Sequence, residues 1–188
     1  MAMRKIREAI VASSRTDAFA ISAYTFIIRA ILLENHMESY HPALLHLLRK
    51  FYNSPTLSAS EKHEFLGYYI LDLACRQDDL AGAFKARNSY RYRGASVELV
   101  LKALAHGNWF VFWRTKPLVD KYQKRLMEWG DESMRKHALK CLGRSYLNIN
   151  KDYIQQATGK CWKELKEQEG LSWEVDGELI IIKQTKRK

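Results

Sequence analysis

The sequence predicts a mainly α protein: a helical-repeat (TPR-like) body followed by a C-terminal winged helix with a small β-wing. Three observations carry that expectation. Of 188 residues, 47% are hydrophobic and only 9 are Gly and 3 Pro, which is too apolar for a disordered chain and too poor in breakers for a loop-rich one. Apolar residues recur at helical spacing through residues 1–129, the predicted helical body. From Gly130 the pattern changes, ending on an Asp-Gly pair between two apolar runs, a strong hairpin signal. Residues 130–188 are the predicted winged-helix subdomain, and the two parts together form one unit.

Taken in order, Thr16 or Asp17 is expected to cap a helix running to about Glu34. The stretch Ala18 to Leu33 is interrupted by Arg29, Ser22 and Thr25, short of the ~18 unbroken apolar residues of a membrane span, and reads as a buried helix. Pro42 suits the first position of a short helix through Leu44, Leu45, Leu47 and Leu48, because proline has no N–H to leave unpaired there. Ser60 reads as the next start, with Leu66, Tyr69, Ile70 and Leu73 at i, i+3, i+4 and i+7. Asp78 and Asp79 open another helix. After Gly94, the residues Val97, Val100, Leu101, Leu104 and Ala105 fit one helical face, which Gly107 ends.

Asn108 begins an aromatic segment, Trp109, Phe110, Phe112 and Trp113, read as core at the joint between the body and the C-terminal unit, or else as an exposed partner patch. Val119, Tyr122, Leu126 and Trp129 then mark one face of a further helix, and Asp131 to about Arg144 another. Tyr146 to Asn150 alternate apolar and polar as a short strand does, and Asn150 is placed to cap the helix after it. Cys161, Trp162 and Leu165 share a face of a helix that stops at Gly170; the hairpin of Trp173–Val175 and Leu179–Ile182 completes the chain.

This order of elements resembles the PCI domain, the subunit-assembly module of the proteasome lid, the signalosome and translation initiation factor three. The segment Ala103-Leu104-Ala105-His106-Gly107-Asn108-Trp109-Phe110-Val111-Phe112-Trp113 is similar to the signature of the small-subunit group. That group comprises signalosome subunit eight, a proteasome-lid subunit, initiation factor three subunit k and related mRNA-export scaffolds. Ser145-Tyr146-Leu147-Asn148-Ile149 with Tyr153-Ile154 resembles the strand and second helix of its winged helix, and Trp173-Glu174-Val175-Asp176-Gly177 its wing. The likeness spans roughly residues 60–188. It implies a non-catalytic scaffold subunit that joins other, PCI-containing subunits of a multiprotein complex through wing edges. Trp173, Val175, Leu179 and Ile181 would then make the protein contacts, with Leu179–Ile182 as the exposed edge strand.

Charge qualifies that picture. The net charge is +10, and residues 101–188 hold 18 Lys/Arg against 11 Asp/Glu while residues 1–100 hold 13 against 10. The densest acid-free run is Lys85, Arg87, Tyr90, Arg91, Tyr92 and Arg93, which combines phosphate-pairing cations with aromatic faces able to stack on bases. A solvated inter-helix turn would look the same. Lys160, Lys163 and Lys166 fall three apart on one predicted helix edge, diluted by Glu164, Glu167 and Glu169; Lys183, Lys186, Arg187 and Lys188 add a basic tail. These residues support a nucleic-acid-binding reading, RNA before DNA, either beside the scaffold role or in place of it.

No catalytic constellation emerges. The histidines His36, His41, His46, His63, His106 and His137 show no H-E-x-x-H spacing and read as exposed or capping residues. Cys75, Cys141 and Cys161 lack C-x-x-C spacing and sit among apolar neighbours, so buried inert thiols, no disulfide framework and a reducing compartment are expected. Neither phosphate-binding glycine motif occurs. The expectation is therefore no enzyme, no metal and no cofactor. Expected partners are complex subunits, with RNA and a second copy of the chain as further candidates and no membrane, in the nucleus or the cytoplasm.

Overall fold

The computed structural model describes residues 2–183, omitting the side chain of Ala2. It is mainly helical with one small antiparallel sheet. Helix α1 (Ala2–Ala12) precedes α2 (Ala18–Glu34), whose N-cap is Asp17, its carboxylate accepting from the Ala20 N–H. Asn35 ends α2 in the left-handed region at φ 59°, a conformation that asparagine tolerates. One side of α2 is core, with Tyr24, Ile27, Ile28, Ile31 and Leu32 all buried. The helix is nevertheless only half buried, contrary to expectation: Phe19, Phe26 and Leu33 face outward.

Helix α3 (Met37–His46) contains Pro42 in its interior, not at its start. Tyr40, Ala43 and Leu44 anchor the helix on the core through Pro42, and α3 widens into a π-turn over Leu47–Phe51. Helix α4 (Ala59–Leu71) starts two residues earlier than the sequence reading placed it. Its N-cap is Ser58, because Glu61 completes a reciprocal capping box with it, while Glu64 is engaged by Arg29 and Tyr68 instead. A second π-turn (Asp72–Arg76) leads to α5 (Leu80–Ser89), capped by Asp79 as expected, and then to α6 (Ala95–Ala105).

Asn108 caps α7 (Trp109–Thr115), and Asp120 caps α8 (Lys121–Met127). Val119 therefore lies before α8, and Trp129 in a following 3-10 turn at 44% exposure, so the expected four-residue apolar stripe is interrupted. Helix α9 (Asp131–Ser145) leads to β1 (Asn148–Asn150), then α10 (Lys151–Thr158) and α11 (Trp162–Glu169), each of the last two followed by a glycine at positive φ. Strands β2 (Glu174–Asp176) and β3 (Leu179–Ile181) complete the sheet.

The hairpin differs from expectation in two ways. Asp176 pairs with Leu179, so the two-residue turn is Gly177-Glu178, with Gly177 at φ +57° supplying the positive dihedral that the turn needs. The strand order is β1-β3-β2, which places β3 in the centre. Leu179–Ile182 is consequently not an exposed edge: β3 is paired on both sides, and Ile180 on it is fully buried.

The buried apolar side chains form two clusters. The larger runs from Ile10 to Met134, and the smaller gathers Leu139, Leu142, Ile149, Ile154, Ala157, Leu165 and Ile180. The division falls within α9, so one helix serves both, and Trp109 packs against each cluster.

Candidate functional site

The basic run predicted between α5 and α6 is divided by the fold. Tyr92 is 5% exposed and does not offer its face to a base. Its ring stacks on His63 at 4.3 Å and lies against Gly67 and Gly94, where a Cβ would come within 2.6 and 2.3 Å of its hydroxyl oxygen. Burial pushes the Tyr92 phenol up to about 12. Glycine at both positions is what makes room for this ring. Tyr90 is 37% exposed and meets the Tyr52 ring edge-on at 5.2 Å.

Arg87 is also committed. Although no acid lies near it in sequence, α6 returns Glu98 to its side, and Arg87 Nε and Nη2 donate to Glu98 Oε2 at 3.0 and 2.7 Å. Lys102 approaches the other oxygen of Glu98 at 3.4 Å. The Arg87 hydrogen bond, followed by those to Lys102 and the charges of both, holds the Glu98 carboxyl below its usual range despite partial burial. Lys85, Arg91 and Arg93 remain exposed, without an ion pair among the described residues. Arg91 sits at φ 50° in the left-handed region, and the Arg93 carbonyl lies 3.1 Å from His63 Nε2. A shallow groove of about 680 Å³ runs past Arg87, Arg93, Gly94, Glu98 and Lys102. Sequence reading missed Lys102 and Glu98, since both belong to the far side of a turn; an i, i+4 Glu-Lys spacing on α6 was the available signal.

The C-terminal lysines do not form one edge. Lys160 precedes α11 and reaches Gln168, while Lys163 and Lys166 lie exposed on the helix itself. Lys186, Arg187 and Lys188 lie outside the described residues.

At the sheet, the four predicted contact residues divide between two faces. Val175 is paired with the buried Ile180 and shares its face, whereas Leu179 and Ile181 project from the other. Trp173 is half-buried and stacks parallel to Trp162 at 6.3 Å. Among the described residues, the outer strand on this side is β2. Lys151 N–H donates to Glu178 C=O and Ile182 N–H to Leu147 C=O, so the even-numbered residues of β3 bond toward β1 and the odd-numbered ones toward β2. Alternation along β2 then turns the Val175 N–H and C=O outward. At the opposite edge, Tyr146, Leu147 and Tyr153 are 44%, 52% and 40% exposed beside β1, an apolar group that the sequence reading did not single out.

The joint between the clusters is tightly specified. Trp113 donates its indole N–H to the Ala157 carbonyl at 2.9 Å, and its ring lies against Gly159 and under the cations of Lys116 and Arg135 at 5.7 and 5.9 Å. Arg135 is 6% exposed and donates to the Thr158 carbonyl; Lys116 pairs with Asp131. Phe112 is fully buried, and Phe110 is 48% exposed.

The remaining chemistry-bearing groups have structural engagements. Asp72, fully buried, is held by Arg76 Nε at 2.5 Å, Gln77 Nε2 at 2.7 Å and His41 Nδ1 at 3.0 Å. His46 stacks on Tyr24 at 4.8 Å. His41 and His46 are thus half-buried, packed or paired groups, not the exposed or capping ones expected, whereas His36, His63, His106 and His137 are exposed as expected, His63 with its ring on Tyr92. Cys75 is buried, and its thiol is pushed up to about 12 by desolvation, reinforced by Asp131 and Asp72. Cys141 and Cys161, expected to be buried, are only half-buried, and Cys141 Sγ lies 3.6 Å from His137 Nε2. Among the described residues no group of three or more His, Cys, Asp or Glu is arranged to hold a metal, and no helix is long and apolar enough to cross a membrane. No family model matches the chain, and no curated protein matches it significantly.

Proposed function

We propose that this chain is a non-catalytic assembly subunit, a TPR-like helical body carrying a PCI-type winged helix, that works within a multiprotein complex of the nucleus or cytoplasm. The observation that carries the reading is the C-terminal unit: α9, β1, α10, α11 and a β2–β3 hairpin in that order, with the Val175 backbone groups turned outward on the outer strand. An unpaired edge is a template for a partner's strand. The Trp113 contacts support it further, because the indole bond to the Ala157 carbonyl and the ring under the Arg135 cation tie that unit to the helical body, so a partner docked on the sheet would be held in a fixed relation to the body. The engagement of the buried Asp72 and of His41, His46 and His63 in packing and ion pairs supports the non-catalytic part.

The test is Val175→Pro. Proline deletes the outward N–H while leaving the β2–β3 bonds in place. Cross-linked affinity purification from native extract should recover partner subunits with the wild-type chain and lose them with the variant, whose circular dichroism stays unchanged. Recovery of the wild-type chain alone would sink the proposal.

A second reading, contact with RNA, is favoured by the exposed and unpaired Lys85, Arg91 and Arg93 beside the groove at Lys102. About three or four neutralised phosphates would give a salt slope near −2 to −3 for a single strand. Gel shifts over a salt series should show that slope, and reversing Arg91 and Arg93 to Glu should flatten it. Unaltered affinity in that double variant removes the reading.

A further inference from the structure

Helix α2 has an outward face whose large apolar side chains have no covering element among the described residues. Phe19, Ala23, Phe26, Ala30 and Leu33 line it at successive spacings of four, three, four and three residues, the two alanines half-buried between the exposed larger side chains. This is the spacing of a coiled-coil seam. Phe19, Phe26 and Leu33 are 58%, 66% and 44% exposed. Ile27, Ile28, Ile31 and Leu32 on the opposite side are buried, so the helix is apolar on both sides, a property of helices covered on both sides. Ser22, Arg29 and Glu34 flank the stripe, and Arg29 turns away to pair with Glu64.

The sequence of the stripe selects its occupant. Large residues alternate with alanines, which makes the stripe complementary to itself: each phenylalanine is a knob and each alanine a hole. When two copies of α2 run antiparallel about a two-fold axis passing between the levels of Tyr24 and Thr25, Phe19 stands opposite Ala30 of the second copy and Phe26 opposite Ala23. The same register brings Glu34 of each copy to the N-terminal end of the other copy's α2, where Arg15 precedes the helix. Glu34 is exposed and forms no ion pair among the described residues. Arg15 lies at the surface over the Phe19 ring at 5.0 Å, with Asp17 as its present partner. A parallel pair in register would instead set phenylalanine on phenylalanine and Arg15 on Arg15.

We propose that α2 is a self-association face, closing an antiparallel, two-fold dimer of this chain through Phe19, Ala23, Phe26 and Ala30 with reciprocal Arg15–Glu34 ion pairs. The pairing is independent of the assembly role proposed above. Small alanines let the axes approach toward the short end of the 8–10 Å range. At about 200 Å² for a phenylalanine, the three large side chains leave roughly 300 Å² of apolar area per copy. With the flanking residues the interface totals on the order of 1,000 Å², the low end for specific association. A micromolar, concentration-dependent dimer follows.

Sedimentation velocity of the full chain under reducing conditions, from about 1 μM to about 500 μM, reads this directly. The wild-type chain should move from monomer to dimer across that range. Phe26→Ser, at a surface position that leaves the core untouched, should weaken dimerisation at least about tenfold. Arg15→Glu and Glu34→Arg should each weaken it, and the double variant should recover the wild-type constant, because the reversed pair still matches across the two-fold axis. A wild-type monomer at every concentration, or a Phe26→Ser variant that dimerises as tightly as wild type, overturns the proposal. A double variant no tighter than the singles overturns the antiparallel register. A chain that stays monomeric yet binds anionic lipid vesicles through Phe26 assigns the face to a membrane surface instead.

Discussion

Replacing Trp113 by Phe tests whether the indole couples the helical body to the C-terminal unit. The substitution keeps an aromatic ring against Gly159 and removes the N–H that donates to the Ala157 carbonyl at 2.9 Å. Losing that bond costs about 1 kcal/mol, and up to about 3 if the carbonyl finds no water. The smaller ring weakens contact with the Lys116 and Arg135 cations, about 0.5 kcal/mol each, and leaves a void worth roughly another 1 kcal/mol. The total is about 3–5 kcal/mol. With a urea dependence of about 2 kcal/mol per molar, the midpoint followed by circular dichroism should fall by about 1.5–2.5 M. Hydrogen exchange should locate the loss: amides of α10, whose last turn carries the accepting carbonyl, exchange faster while those of α4 do not. A midpoint within about 0.3 M of wild type, or faster exchange spread evenly over both helices, would show that the indole is not the coupling element.

Three further outcomes are expected. Gly67→Ala drives a Cβ to 2.6 Å from the Tyr92 hydroxyl oxygen and should cost about 1–3 kcal/mol; adding Tyr92→Phe should recover most of that, and a purely additive double-mutant cycle would refute the wedge. Asp72→Asn removes the charge that Arg76 and His41 surround and should lower the melting temperature by about 6–12 °C, for a loss of about 3 kcal/mol in a chain of this size. Burial, then the nearby Lys50 charge, holds the His46 imidazole below its ordinary value, so the unfolded chain takes up its proton first and stability falls as pH drops through the unfolded value of about 6.5 toward the folded one. Melting at about pH 7.5 and 5.5 should therefore show a larger loss for wild type than for His46→Phe, which keeps a ring on Tyr24; equal losses would remove His46 from the account.

The elements that were legible in the sequence are those set by neighbours a few residues away. Asp17, Asp79 and Asn150 cap the helices that their side chains predicted, because an N-cap bond spans two or three residues. The apolar spacing of Val97, Val100 and Leu101 and the glycine of the Gly177 turn are local in the same sense. Where two local signals competed, sequence reading chose wrongly. Ser58 and Ser60 are each followed by a glutamate at capping distance or one residue beyond, and only the commitment of Glu64 to Arg29, 35 residues away, decides between them. Pro42 stands inside α3 because the core contacts of Tyr40 and Leu44 outweigh one missing backbone bond.

By itself, then, the sequence determined a mainly helical chain, most of its helix starts, a C-terminal hairpin and a net positive charge. Tertiary structure alone decided which of the basic and aromatic residues reach solvent. Tyr92 is withdrawn because Gly67, on a different helix, leaves room for its ring; Arg87 is withdrawn because the turn at Gly94 brings Glu98 back to it. The sheet order is likewise non-local, since β3 pairs with β1 across two intervening helices and so becomes the centre, leaving β2 as the edge. The stripe on α2 shows the reverse limit: its periodicity is plain in the sequence, but a helix apolar on both sides reads as buried until the fold leaves Phe19, Phe26 and Leu33 exposed among the described residues.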